Sequence, residues 1–176
     1  MPLALTLLLV RNGEAPASKL LLVLGAVIVI GAEALRLWAV RHIGAISRTR
    51  SGRLGPLVSA GPFAMVRNPL YLGNIALWVG FALASRLVWI VPIFIAVLGL
   101  EYHAIVRWEE HQQEARRGDE YRAYLARVPR WIPSFRAGSP VTPPAAHSWR
   151  DTLFSERGTL VAIGVGFALL WIKARF

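Results

Sequence analysis

The stretch PLYLGNIALWVGFALASRLVWIVPIFIAVLGLEYHAIV, residues 69–106, decides the fold. It holds two apolar runs separated by Ser85-Arg86, and its only charged residues are Arg86 and Glu101. The fixed φ of Pro69 suits the first turn of a helix and disfavours helix in the residue before it, so a helix is predicted to start there and cover residues 69–84. Along it Gly73, Ala76, Gly80 and Ala84 recur at spacings of three and four, a small-residue stripe that lets a neighbouring backbone approach closely. Ser85-Arg86 is expected to make a tight connection, and residues 87–106 return as a second helix with a kink at Pro92 near its start. A stretch this apolar, folded back on itself, reads as a helical hairpin in a bilayer.

The remainder agrees. Of 176 residues, 55% are apolar and 17% charged, against ~25% charged in a solvated globular domain. Residues 20–40, bounded by Lys19 and Arg41, are long enough to span, and their two charges, Glu33 and Arg36, sit three apart on one face where they can pair. Residues 3–10 would rise only ~12 Å against a hydrocarbon core of ~30 Å. They read as an interfacial turn, retained in the protein because the segment lacks a basic start and a small-residue cleavage site. Residues 159–172 give ~21 Å of helix and span only if their flanks contribute. The expected fold is therefore all-α, an integral membrane helical bundle with about four transmembrane helices plus a cytoplasmic amphipathic segment. Its parts are an N-terminal segment and first helix (1–56), a core (57–136), and a Pro-rich linker with a C-terminal helix (137–176).

The net charge of +10 would suggest nucleic acid in a soluble protein. Here 14 of the 20 cations lie in residues 41–67 and 107–157, between apolar runs, as the positive-inside rule describes. Those stretches are placed on the cytoplasmic side and Ser85-Arg86 outside. Trp38, Trp108 and Trp131 then belong to the inner interface and Trp89 to the outer. No nucleic-acid motif accompanies the charge, so no nucleic-acid partner is expected. The chain has no cysteine, which removes disulfides, thiol nucleophiles and cysteine-ligated metals. Dinucleotide, P-loop, zincin and serine-hydrolase motifs are missing as well. His42, His103, His111 and His147 are scattered, and no metal is expected.

What remains is a polar group at the cytoplasmic ends of the hairpin. Arg67, Asn68 and Tyr71 at one helix start should lie beside Arg107, Glu109 and Glu110 at the end of its partner. Unsatisfied N–H groups and an Arg suit a carboxylate, while paired acids suit an ammonium or a ribose diol. A plain salt-bridge cluster at helix ends has the same sequence. Of the other acids, Glu101 is intramembrane, a costly place for charge.

Gly61-Pro62-Phe63, Val66-Arg67-Asn68-Pro69-Leu70-Tyr71-Leu72-Gly73, Glu109-Glu110, Gly118, Tyr121, Tyr124 and Val128-Pro129-Arg130, in that order over residues 57–133, resemble the isoprenylcysteine carboxyl methyltransferase and phospholipid methyltransferase group. The segment Leu35-Arg36-Leu37-Trp38-Ala39, followed by Ile43-Gly44, is similar to the helix preceding the core in bacterial members. The resemblance implies an enzyme of the bacterial inner membrane, catalytic side cytoplasmic, that moves a methyl group from S-adenosylmethionine to a lipophilic small molecule or lipid, a carboxylate or an amine. It implies catalytic roles for Arg67 and Glu110, and a cofactor cleft built from Asn68, Pro69, Tyr71, Leu72, Gly73, Glu109 and Glu110. Three positions depart from the family pattern: Asn68 stands for His, Gln113 for an apolar residue and Arg117 for an aromatic one. Asn68 keeps donor and acceptor capacity but cannot titrate near neutral pH. Two other readings compete, an NADPH-dependent membrane reductase of the steroid-reductase type and a non-enzymatic membrane scaffold. Gly73-Asn74, where the reductases usually have Gly-Glu, favours methyl transfer.

Overall fold

A computed structural model describes residues 2–10, 13–16, 18–44, 57–135 and 147–175. Every regular element among them is helical: α1 (Pro2–Leu9), α2 (Lys19–Ile43), a short 3-10 turn (Gly61–Ala64), α3 (Pro69–Ala84), a second 3-10 turn (Val88–Ile90), α4 (Val91–Arg117), α5 (Asp119–Arg127) and α6 (Trp149–Lys173). Three helical stretches, Lys19–Ile43, Val88–Arg117 and Trp149–Lys173, are long and apolar enough to cross a membrane, and the chain is an integral membrane protein. Helix α3 is apolar too, but its 16 residues rise only ~24 Å.

Two boundaries differ from the sequence reading. Pro92 does not kink a helix but occupies the second position of α4, where no intrahelical partner is lost by its missing N–H. Helix α4 runs on past residue 106 to Arg117, so the acidic doublet stands on the same helix as the apolar run, as expected for the end of the hairpin's second helix. The last helix is 25 residues rather than 14, because it begins ten residues earlier at Trp149. Ser148 caps it: its Oγ accepts from the Asp151 N–H at 3.1 Å and donates to the Asp151 carboxylate at 2.7 Å. Most of the expected linker, residues 136–146, lies outside the described residues.

The described residues divide into two compact units. The first comprises Met1–Ala34, Gly73–Leu100 and Arg157–Phe176. In it α3 runs antiparallel to α2, and the small-residue stripe does what its spacing implies. A Cβ built on Gly25 would stand 2.5 Å from the Gly80 carbonyl oxygen and 2.6 Å from the Ala84 nitrogen, so only hydrogen fits between the backbones. Val29, Ala32 and Leu77 pack beside this contact with Ala76, Phe81, Ile163 and Phe167 around them. The Phe81 and Phe167 rings pack at a tilt, 5.1 Å apart, and Trp78 meets Phe94 edge-on at 5.9 Å. The expected tight connection closes α3: Leu87 N–H donates to Ala82 O at 3.0 Å and Arg86 N–H to Leu83 O at 2.9 Å, with Arg86 at φ 66°. A side chain in that conformation costs energy, and Arg86 is held there by its ion pair with Glu14 and by its carbonyl, which accepts from Ala15 N–H at 2.9 Å. Lys173 Nζ completes the cluster, 2.7 Å from Glu14 and 2.9 Å from each of the Leu7 and Val10 carbonyls.

The second unit comprises Leu35–Leu72 and Glu101–Glu156. Here the last turns of α2 meet the first turns of α6 antiparallel. Arg36 Nη2 bonds Glu156 Oε2 at 2.6 Å, with the Glu156 side chain wholly buried, and the Arg41 guanidinium lies 4.4 Å over the Trp149 ring. Arg36 thus has a partner 120 residues away that the reading of Glu33 and Arg36 on one face did not supply. Leu57, Tyr121, Tyr124 and Val128 form the apolar core of this unit.

Gly25→Leu should be strongly destabilising, by ~1–3 kcal/mol or more as overpacking against backbone that cannot rotate away. Gly99→Leu, where nothing lies within 4 Å, should leave the melting temperature in detergent near that of the parent. Thermal unfolding of both variants checks this, and equal melting would refute the close contact.

Candidate functional site

Arg67 precedes α3 and reaches the end of α5. Its Nε donates to Val128 O at 2.6 Å and its Nη2 to Leu125 O at 3.1 Å, while its own N–H bonds Pro129 O at 2.9 Å. These carbonyls belong to the last turn of α5 and the residues after it, where the helix has run out of N–H donors and its dipole favours a cation. The remaining nitrogen, Nη1, bonds Glu110 Oε1 at 2.8 Å. Arg130 approaches the same carboxylate from the other side, with Nε at 3.0 Å from Oε1 and Nη2 at 2.6 Å from Oε2. One buried acid is therefore gripped by two guanidiniums.

The neighbouring acid has a different setting. Glu109 is exposed, and its Oε1 accepts from the Tyr71 hydroxyl at 2.9 Å. Tyr71 in turn packs on Tyr102, ring centroids 4.8 Å apart. Asn68 Nδ2 donates to Arg130 O at 3.2 Å, so the amide that replaces His holds the strand of chain after α5. Pro69 is buried at the start of α3, and Leu72 N–H closes the first turn on Asn68 O at 3.1 Å. Gly73 is buried and belongs to the first unit. Thus Arg67, Asn68, Tyr71, Glu109 and Glu110 do come together, as the hairpin required. Arg107, Arg116 and Glu101 are exposed.

The other two departures from the family pattern explain each other. Arg117 Nε donates to Gln113 Oε1 at 2.9 Å, one helical turn away, so a polar pair stands where the pattern has two apolar side chains. After Arg117 the chain turns through Gly118 at φ 54°, ψ −124°, a region closed to other residues. Tyr124 OH then donates to Phe63 O at 2.8 Å, tying α5 to the Gly-Pro-Phe turn. Sequence reading missed Tyr102 and the pair of His103 with Trp131. The first carried a signal, since Tyr102 stands seven residues before Glu109 and so shares its helix face.

Among the described residues there is no group of three or more His, Asp or Glu able to hold a metal ion. Burial pushes the Tyr121 hydroxyl up to about 12, with the Glu110 charge adding to it, and raises Tyr124 further. The hydrogen bonds from Arg130 to Glu110 hold its guanidinium more firmly protonated than usual.

The chain matches the family described as phospholipid methyltransferase over residues 20–115. That is more than half its length, and the chain belongs to this family. Two curated relatives are nickel-cobalt-cadmium resistance protein NccN of Alcaligenes xylosoxydans xylosoxydans, 31% identical over 116 residues, and cobalt-zinc-cadmium resistance protein CzcN of Cupriavidus metallidurans, 31% identical over 117. Each match takes in 66% of this chain, but the chain spans only about half the length of either relative, 51% and 50%. No solved structure matches.

Two outcomes follow. Arg67→Lys should lose the fork that serves Glu110 and two carbonyls at once. The cost should approach the ~3–5 kcal/mol of leaving a buried ion poorly paired, read as a drop in melting temperature. Unfolding above neutral pH provides the second. An unfolded tyrosine ionises near pH ~10, whereas folded Tyr121 keeps its proton to about 12, so the unfolded state sheds protons first and stability must fall as pH rises across that window. Tyr121→Phe should flatten this alkaline decline, and an unchanged slope would refute the assignment.

Proposed function

We propose that this protein is an integral membrane methyltransferase that uses S-adenosylmethionine to methylate a lipophilic acceptor, with its arginine-rich helix ends and its site at the cytoplasmic face of a bacterial inner membrane. In this reading α3 is the fourth transmembrane helix. The observation that carries the proposal is the joining of the motif at the start of α3 to the acidic doublet of α4, through Arg67–Glu110 and Tyr71–Glu109, in a chain of the phospholipid methyltransferase family.

The donor set suits the cofactor. Glu109 presents an exposed carboxylate with one oxygen already oriented by Tyr71, the chemistry that accepts hydrogen bonds from an ammonium or a ribose diol. Asn68, Pro69 and Leu72 line the start of α3 beside it. When bound, S-adenosylmethionine supplies a methyl group already activated by its sulfonium, so the chain is asked for alignment and exclusion of water rather than covalent help. Arg67 and Glu110, both fully engaged with protein groups, act here as positioning residues that fix the segment after α5 against α4. A carboxylate acceptor needs no base. An amine acceptor must lose a proton, and Glu109 is chemically better suited to take it than Glu110, whose oxygens already face two cations.

Purified protein in nanodiscs should bind S-adenosylhomocysteine by calorimetry. Glu109→Gln should weaken that binding about 10- to 100-fold, the scale of one charged hydrogen bond, without lowering thermal stability. Binding of NADPH instead would favour the reductase, and binding of neither the scaffold. Because the two relatives are named for metal resistance, labelled methyl transfer into lipids extracted from cells grown with and without cobalt or cadmium is the place to look for the acceptor.

A further inference from the structure

The residues after α5 carry a feature that the methyl-transfer reading does not use. In the sequence Trp131-Ile132-Pro133-Ser134-Phe135, Ile132 is 79% and Phe135 83% exposed, a large apolar display at the end of the most charged part of the chain. These residues are not loosely attached. Ser134 N–H donates to Met65 O at 2.9 Å, Pro129 O accepts from Arg67 N–H, and the Arg130 carbonyl accepts from Asn68, so the strap is pinned along its length. Trp131 Nε1 lies 3.4 Å from His103 Nδ1, and the two rings stack at 6.4 Å. An indole N–H only donates, so His103 Nδ1 is the acceptor.

His103 fixes the strap's height along α4. It stands four residues before Arg107, ~6 Å toward the apolar end of the helix, within the candidate span Val88–Arg117. Among the exposed side chains beyond that level are Arg107 and Trp108, a charge and an indole of the kind that mark a membrane interface. Trp131 therefore lies against α4 at the level of His103, about one turn to the apolar side of Arg107. Exposed Arg127, at the end of α5 and four residues before Trp131, adds a cation suited to anionic headgroups.

We propose that residues 131–135 form an interfacial anchor in which Ile132 and Phe135 enter the boundary between headgroups and acyl chains of an anionic bilayer, Trp131 being the hinge against α4. Because Pro129 and Arg130, which lead directly into this segment, are bonded to Arg67 and Asn68, lipid contact is coupled through them to the cluster around Glu110. The anchor stands whether or not the chain transfers methyl groups.

The native chain has no cysteine, so a single introduced thiol can be labelled alone. Full-length Ile132→Cys and Phe135→Cys, each carrying an environment-sensitive fluorophore, are reconstituted in nanodiscs containing phosphatidylglycerol with a nitroxide on the headgroup, on the upper acyl chain or near the chain end. Asp119→Cys on α5 serves as the aqueous control and Val97→Cys on α4 as the embedded one. At an anchoring depth of ~5–10 Å, both strap labels should show blue-shifted emission and at least about twofold stronger quenching from the two shallow nitroxides than from the deep one. Emission and quenching like those of the Asp119→Cys label would overturn the proposal. So would blue-shifted emission that no lipid nitroxide quenches, which would mean that protein, such as a second copy of the chain, covers these side chains.

Discussion

The carboxylate of Glu110 lies between the guanidiniums of Arg67 and Arg130, and the second unit is organised around that grip. Each charged hydrogen bond contributes ~1.5–3 kcal/mol, yet drying three ions costs several kcal/mol apiece, so the net gain in stability is modest. The effect on choice of structure is large. Any packing that separates Glu110 from its partners leaves an ion buried alone, which is far worse than the correct arrangement is good. Arg67 spreads this constraint by also ending α5 through the Leu125 and Val128 carbonyls. One side chain thus ties the end of α5, and the turn after it, to the acidic doublet of α4.

The two adjacent acids show how a single turn of helix divides labour. Glu110 points into protein and is neutralised twice over, whereas Glu109, one residue earlier and about 100° around the helix, is exposed and accepts from the Tyr71 hydroxyl. The inner acid is bound up in holding geometry, and the outer one faces away from that grip. Asn68 fits the same division. Its amide is occupied with the Arg130 carbonyl, a task that needs a donor and no titration.

Much of this was legible in the sequence, for identifiable reasons. The hairpin follows from Pro69, from the small-residue stripe and from Ser85-Arg86, all of which act within one or two turns, and the bounds of α3 came out as read. Convergence of Arg67 and Tyr71 with the Glu109-Glu110 doublet then follows from two antiparallel helices. Failures came where distant groups decide. The start of α6 was hidden because polar residues 149–158 hardly resemble a membrane helix, although Ser148 and Asp151 form a capping signal that could have been found. Pro92 was read as a kink because the 3-10 turn before it, which moves the helix start to Val91, leaves no local mark. That Arg67 binds two carbonyls of α5 could not be read at all, since backbone acceptors have no sequence signature.

The bond between Arg36 and Glu156 has a bearing on biogenesis. Ribosomal synthesis delivers α2 to the translocon well before α6 exists, and the bond must wait for 120 further residues. At elongation speeds of ~5–20 residues per second, that interval lasts on the order of ten seconds. The Arg36–Glu156 bond is therefore a late event of synthesis, and the order of translation becomes part of how this fold is assembled.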